Sequence, residues 1–454
     1  MSVKAKSKDK TIFVCSECGA KYHKWVGKCS ECGAWNSVVE EVIPSVKSLS
    51  VSKSVTPPLK IDHLEPPRSI KVSTGIEEID RVIGGGFLKG SVTLISGNPG
   101  IGKSTIALQI ANSIHNKKVF YFSAEESPEQ LKIRAERLKL STSSLYVSEE
   151  LLLENIVHIV ENQSPEIVII DSIQTIYSGQ FDSLPGGVLQ VRECALKLLN
   201  ITKARGLITL LIGHITKEGA IAGPKVLEHL VDTVLLLEGD QNNFFRILRC
   251  LKNRFGTTKE IGIFEMREDG LHPVKDPSYL FISKKKKHAS GSSITVSMEG
   301  IRPLLVEIQA LTAKSIYSTP QRNSNGIDYR RLTMLLAVLE KRAGISLSTF
   351  DIFVNVVGGL KLHDPATDLA VISAILSSYH NKPLPSETAF IGEVGLVGEI
   401  RPVRYIDTRI NEAVKLGFKK VYVPSISELK TIRSEIRIIK VESVNQLIEK
   451  LSQQ

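Results

Sequence analysis

One octapeptide constrains this chain more than any other feature. Gly97-Asn98-Pro99-Gly100-Ile101-Gly102-Lys103-Ser104 fits the spacing G-x-x-x-x-G-K-[ST], after an apolar strand-like run and before the helical run Thr105 to Ile114. Glycines in such a loop let backbone N–H groups converge on phosphate oxygens at a helix N-terminus, where the helix dipole favours anions. Lys103 is placed to bridge the β- and γ-phosphates and the Ser104 hydroxyl to ligate magnesium. Gly97, Asn98, Pro99, Gly100, Ile101, Gly102, Lys103, Ser104 and Thr105 are therefore the candidate nucleotide-binding residues, with ATP and Mg2+ as cofactors. Such a loop joins a strand to a helix within a parallel sheet, so it dictates an α/β core.

The flanking sequence agrees. Between residues 69 and 273, short β-branched runs alternate with amphipathic stretches, the pattern of parallel strands joined by crossover helices. Strands are expected at Ser91–Ser96, Lys118–Ser123, Ile167–Asp171, Leu207–Gly213 and Thr233–Glu238, then a strand pair at Phe244–Leu251 and Glu260–Glu265. The third of these ends in Asp171, either a plain capping aspartate or the carboxylate that holds the magnesium shell; the upstream loop favours the second. The strand before it runs into Ser123-Ala124-Glu125-Glu126 and brings a carboxylate to the edge where ligands of parallel sheets bind. Glu125 is the candidate general base, and spacing alone leaves Glu126 open.

Lys252-Asn253-Arg254-Phe255-Gly256 closes a strand, and residues two apart on a strand face the same way. Lys252 and Arg254 then form a cationic pair suited to a γ-phosphate; in ring-shaped ATPases such fingers come from a neighbouring subunit. A solvated strand edge is the plainer alternative. Beyond the Leu207–Gly213 strand lies a polar, glycine-flanked loop with His214 as a candidate γ-phosphate sensor and Lys217 as a candidate DNA-backbone contact, or both facing solvent.

Cysteine usage points to metal. Four of the six cysteines, Cys15, Cys18, Cys29 and Cys32, read C-x2-C-x10-C-x2-C, and four thiolates suit a closed tetrahedral zinc site with no position for a catalytic water. Cys194 and Cys250 stand apart and are expected to be ordinary buried thiols. Trp25 and Trp35, with Lys21, Lys24 and Lys28, either pack the small module or form a contact surface for nucleic acid or protein. The organisation that follows is a zinc module at 12–41, a Ser-, Lys- and Pro-rich linker at 42–68, an ATPase domain at 69–273 and a third domain at 274–454. In the third domain a strand is expected at Ile294–Glu299 and helices at Tyr329–Ala343, Thr367–Ser378 and Ile406–Leu416. With 42% hydrophobic and 23% charged residues the chain has the balance of a folded globular protein, not a disordered or fibrous one. No apolar run approaches the roughly 18 residues of a bilayer span, and Met1 to Lys10 lack a signal-peptide core, which predicts a cytoplasmic protein with no membrane partner. The net charge of +10 favours a polyanionic partner only weakly by itself.

The stretch Ser73 to Gly86 with the phosphate loop resembles the RecA superfamily of ATPases. A four-cysteine module, this ATPase, the Lys252–Gly256 motif and the tail Gly392-Glu393-Val394-Gly395-Leu396-Val397-Gly398-Glu399 together resemble the bacterial RadA (Sms) family over roughly residues 12 to 450. The resemblance implies a homohexameric ring that binds single-stranded and branched DNA, hydrolyses ATP, drives branch migration in homologous recombination and works beside a RecA-type recombinase. It also implies that Glu125 is the catalytic glutamate and that Lys252 and Arg254 act in trans. The C-terminal part resembles the proteolytic domain of Lon, with Asp364-Pro365-Ala366-Thr367-Asp368 in place of the serine motif and Asp407 near the lysine position. Neither half of the nucleophile pair is present, so peptidase activity is not expected. The domain is expected to serve ring assembly and a positive DNA-facing surface, with Lys284–Lys287 either extending that surface or forming a solvated linker.

Three functions compete on this reading. A DNA-stimulated ATPase and translocase uses every motif. An ATP-dependent protease is opposed by Ala366 and Asp407. A nucleotide-gated regulator of recombination needs the same pocket as the translocase, and strand displacement separates the two.

Overall fold

The computed structural model describes residues 10–15, 20–43, 60, 71–114, 117–141, 143–181, 183–214, 225–239, 244–282, 289–316, 319–429 and 436–453. Cys18, Lys217, Lys284 to Lys287 and nearly all of the 42–68 linker lie outside the described residues. Contacts divide the chain into two compact units, Met1–Pro273 and Val274–Gln454.

The first unit opens with a small antiparallel sheet of β1 (Lys10–Cys15), β2 (Lys21–Tyr22) and β3 (Val38–Ile43), in the order β2-β1-β3. A short hairpin of β4 (Lys71–Val72) and β5 (Phe87–Leu88) brackets α1 (Glu77–Ile83). The ATPase core then alternates β6 (Val92–Gly97), α2 (Lys103–Ser113), β7 (Val119–Ser123), α3 (Pro128–Arg137), β8 (Leu145–Ser148), α4 (Leu153–Gln163) and β9 (Ile167–Asp171). It continues with α5 (Val188–Arg205), β10 (Ile208–His214), α6 (Lys225–Glu228) and β11 (Thr233–Glu238), and closes with β12 (Phe245–Asn253), β13 (Ile261–Arg267) and β14 (Gly270–Pro273). These strands form one sheet in the order β14-β13-β12-β11-β6-β10-β9-β7-β8, with β8 through β11 mutually parallel and β12 to β14 an antiparallel extension.

The unbroken apolar run of β9 shows why the sheet sits inside. Ile167 and Ile169 pack on one face with α2, whereas Val168 and Ile170 pack on the other with α4 and α5. A parallel strand covered on both faces cannot alternate apolar with polar residues. Local signals end the helices. Ser127 and Gln130 form a reciprocal capping box at the start of α3, with Pro128 at the first helical position. Gly206 stops α5 in a left-handed conformation.

The second unit contains β15 (Ser292–Glu299), β16 (Arg302–Lys314), β17 (Arg322–Asn325), α7 (Tyr329–Ala343), β18 (Phe350–Val356), α8 (Asp368–Tyr379), β19 (Thr388–Phe390), β20 (Glu393–Val394) and β21 (Ile400–Arg401). It ends with α9 (Ile406–Lys415), β22 (Lys420–Pro424), β23 (Arg437–Val441) and α10 (Val444–Ser452). Seven strands make a mixed sheet in the order β17-β18-β16-β15-β19-β22-β23, and β20 and β21 pair separately. Helix α8 is buried from Asp368 to Ser377, as expected of a helix that is apolar all round. The expected strand at Ile294–Glu299 begins at Ser292, and its partner β16, thirteen residues long, had no counterpart in the sequence reading.

Candidate nucleotide site and metal centre

The phosphate loop leaves the end of β6 where two backbones nearly touch. A Cβ at Gly97 would lie 2.5 Å from the Leu237 carbonyl oxygen of β11, so only glycine fits there. Asn98, Pro99 and Gly100 are exposed, whereas the Ile101 side chain is buried in the core and can offer a ligand only its backbone. Arg246 of β12, itself buried, donates to the Ile101 carbonyl at 3.2 Å and ties the loop to the antiparallel half of the sheet. Gly102 begins α2 with no side-chain cap and no acid in the first turn, which keeps that helix end suited to an anion. Ser104 and Thr105 are half-buried in the same turn. The Lys103 ammonium donates to the carbonyls of Gly97 at 2.9 Å and Asn98 at 3.0 Å. Burial lowers its pKa to about 8, against the opposing pull of Asp171 and Glu125.

Parallel pairing brings the carboxylates to this edge. Ser123 at the end of β7 is the register partner of Asp171 at the end of β9, and β10 ends at His214 beside Gly97. Ligand atoms of Glu125, Asp171 and His214 lie within 4.8 Å of one another. The His214 imidazole meets Glu125 Oε1 at 2.9 Å, and this hydrogen bond holds the Glu125 carboxyl below its ordinary pKa although partial burial opposes it. Glu126 turns away to Arg134 of α3 at 2.5 Å. The structure therefore brings Glu125 to Asp171 and commits Glu126 elsewhere, and it sets His214 against Glu125.

Three contacts escaped the sequence reading. Tyr121 looked like one more apolar strand residue, yet its fully buried hydroxyl donates to Asp171 Oδ2 at 2.5 Å. A buried tyrosine needs a partner for its hydroxyl, and an acid at the end of an adjacent strand was the available signal. Asp171 Oδ1, by contrast, is buried without a hydrogen-bond partner. Burial pushes the carboxyl upward in pKa while hydrogen bonds from Tyr121 and Ser104 resist. A buried carboxylate tied through one oxygen to Tyr121, with the Ser104 hydroxyl as its other neighbour, fits a group that shares a magnesium shell with Ser104. Gln174 donates to the His214 carbonyl at 3.3 Å, and Arg246, noted above, had no motif to mark it.

Lys252 and Arg254 lie at the other end of the sheet. A bulge at Leu251 interrupts the pairing of β12 with β11, and β12 stops at Asn253, so Arg254 lies beyond the strand. The two cations nevertheless converge on one acceptor, the His229 carbonyl, at 3.3 and 3.5 Å. Arg254 also pairs with buried Asp232 at 3.2 Å, and Asp232 accepts from the Val92 amide at 3.0 Å. Val92 begins β6 and Gly97 ends it, so five residues, or about 17 Å at the rise of a strand, separate this pair from its own phosphate loop.

Sulfur atoms of Cys15, Cys29 and Cys32 lie within 4.8 Å of one another, and Cys15 and Cys32 are 3.7 Å apart, close to the roughly 3.8 Å between thiolates around tetrahedral zinc. Backbone bonds from Cys15 to Ala20 and from Cys29 to Ala34, each 2.9 Å, shape the two turns. The tryptophans do not form the core of this module, for Trp25 is 58% and Trp35 72% exposed. Its core is Cys15, Cys29 and Val38 with Phe13, Ala20, Tyr22 and Val26 around them. Cys194 and Cys250 are buried, and burial pushes their thiols up to about 12 and about 11.

In the second unit Ala366 is fully buried, and Asp364 beside it is held by Arg409 at 2.5 Å. Asp407 lies in the first turn of α9.

Comparison with known proteins agrees with this architecture. Residues 72–156 and 147–277 match the family model "ATPase: KaiC", residues 13–40 the "Rubredoxin metal binding domain" and residues 329–427 "Subunit ChlI of Mg-chelatase". Among solved structures, a KaiC-like protein of Pyrococcus horikoshii is 21% identical, with a TM-score of 0.38, and covers 46% of this chain and 100% of its own. DNA repair protein RadA of Listeria monocytogenes is 46% identical over 98% of this chain and 99% of that protein. RadA of Bacillus subtilis is 48% identical over 92% and 93%, and RadA of Aquifex aeolicus 46% over 94% and 96%. Among the described residues no helix is long and apolar enough to cross a membrane. With a RecA-type core, a zinc-ribbon module ahead of it and a Lon-like domain behind, the chain is an ATP hydrolase and belongs to the RadA family.

Proposed function

We propose that this chain is a DNA-stimulated ATPase that translocates on single-stranded DNA and promotes branch migration in homologous recombination and repair, as a homohexameric ring in the cytoplasm beside a RecA-type recombinase. Lys103 and the backbone from Gly97 to Thr105 cradle the phosphates, and Ser104 and Asp171 would hold a magnesium ion, which would supply charge neutralisation there. Glu125 takes the proton of the attacking water, oriented by His214. Lys252 and Arg254 reach the γ-phosphate held by the next subunit and stabilise its transition-state charge. Cys15, Cys18, Cys29 and Cys32 hold a structural zinc ion. The C-terminal domain carries out no proteolysis, because a buried alanine at 366 offers no nucleophile.

The observation that carries this reading is the position of Arg254 beside the start of β6, about 17 Å from its own phosphate loop. A cation pair so placed serves a phosphate only across a subunit boundary, which is the arrangement of a ring motor. The family name of the relatives, DNA repair protein, supplies the polymer. Steady-state hydrolysis by purified protein with and without single-stranded DNA, beside a Lys103→Ala control, tests it. Stimulation by DNA together with displacement of a paired strand is expected. Hydrolysis indifferent to DNA would overturn the reading.

A further inference from the structure

Both tryptophans of the chain stand in the zinc module, and both are largely exposed there. Their placement is built, not incidental. Trp25 lies along Gly27, where an added Cβ would meet its ring at 3.6 Å. Trp35 is bridged to Lys28 across the second cysteine turn, and the Lys28 ammonium sits 5.4 Å from the centre of the Trp35 ring. The Asn36 amide donates to the Gly27 carbonyl at 2.8 Å and fixes the two halves of the turn together. One indole thus lies against Gly27 and the other is paired with Lys28, the next residue along the chain. In the same short segment Lys21, His23, Lys24 and Lys28 are exposed, and Glu31 is the one acid among residues 20–36.

We propose that this face of the zinc module is a stacking platform for single-stranded DNA, in which Trp25 and Trp35 receive bases and Lys21, Lys24 and Lys28 meet the phosphates. Exposed aromatic rings interleaved with cations are the chemistry of sequence-tolerant single-strand binding. Protein-docking surfaces share the aromatics but are depleted in lysine at their centres, which sets this face apart from them. The platform rests on the reading of the chain as a protein that acts on DNA, and it adds a contact point outside the ATPase core.

The chain carries its own reporter, since indole emission arises only from these two residues. Full-length protein is titrated with an oligothymidylate while tryptophan emission and the anisotropy of labelled DNA are followed together, with an abasic oligonucleotide of equal length as the control. The expected result is saturable quenching over the range where anisotropy rises, little quenching by the abasic strand, and binding weakened by about tenfold in Trp35→Ala or Trp25→Ala with zinc content unchanged. Lys24→Ala and Lys28→Ala should each lower the salt slope by about one. DNA that binds and stimulates hydrolysis while emission stays constant would overturn the platform and leave the DNA-dependent ATPase standing. Quenching by an added RecA-type recombinase but not by DNA would make the face a protein dock and equally overturn it. Absence of any DNA binding would sink both. Should a variant lose zinc, the wild-type comparison of thymidylate with the abasic strand still decides.

Discussion

If Arg254 serves the nucleotide of a neighbour, two dead variants should revive each other. Lys103→Ala removes the phosphate-binding ammonium, and Arg254→Gln removes the finger charge while keeping an N–H for buried Asp232, which also holds the Val92 amide. Each homogeneous variant should lose about a thousandfold or more in turnover, the scale on which an arginine finger contributes. In an equimolar random mixture a site is whole when its loop comes from an Arg254→Gln subunit and its finger from a Lys103→Ala subunit. Each condition holds for half of the positions, so about one quarter of wild-type turnover returns, whatever the ring size. The structure sets this expectation against a cis alternative, in which every subunit of either kind carries one defect and the mixture stays dead. The separation of about 17 Å along β6 between the start of the strand and the phosphate loop argues for the trans route. Turnover is measured after subunit exchange, with mixed assembly confirmed by native mass spectrometry of differently tagged chains. Mixed oligomers that remain at the level of the separate variants would refute trans action, and an Arg254→Gln protein that is active alone would refute the finger role itself.

Tyr121→Phe strips the buried Asp171 Oδ2 of its donor, a loss of about 1–3 kcal/mol, so the magnesium concentration for half-maximal nucleotide binding should rise about tenfold. An unchanged magnesium requirement would show that the tyrosine only packs. The Lys103 ammonium, with its pKa lowered to about 8, is half charged at that pH and nearly fully charged a unit below it, and a bound polyphosphate holds the proton on. ATP affinity should therefore be flat on the acid side of about pH 7 and fall by up to tenfold per pH unit above about 8, as calorimetry can check; a flat alkaline limb refutes it. Arg409→Met leaves Asp364 and the Val296 carbonyl without their buried cation, at a cost of about 3–5 kcal/mol, which should lower the melting temperature of the second unit by about 10 °C. Removing Lys419, the exposed partner of Glu387, should cost less than about 1 kcal/mol in the same calorimetric scan.

What could be read in the sequence follows the distance over which each feature is decided. The apolar run Ile167–Ile170 announces a strand buried on both faces because burial acts on every residue of it, and the run of glycines ahead of Lys103 announces its loop because the turn itself demands them. Helix α7 shows its buried stripe from Leu332 to Leu339 between an Asp328 cap and a left-handed Gly344, all within one local segment. The features that stayed hidden depend on register between distant strands. Tyr121 finds Asp171 only because β7 lies beside β9 with Ser123 opposite Asp171, and fifty residues of chain separate the two side chains. The choice between Glu125 and Glu126 turns on Arg134, one helix further on, which draws the second glutamate away. Strand periodicity sets Lys252 and Arg254 facing one way; in fact the strand ends between them, and they meet at the His229 carbonyl, with Asp232 holding Arg254 there. In each case residue type was visible and partner was not. Catalytic candidates can thus be chosen from sequence by their chemistry, but the residues that orient them are selected by strand order, and they appear in sequence as ordinary core or edge.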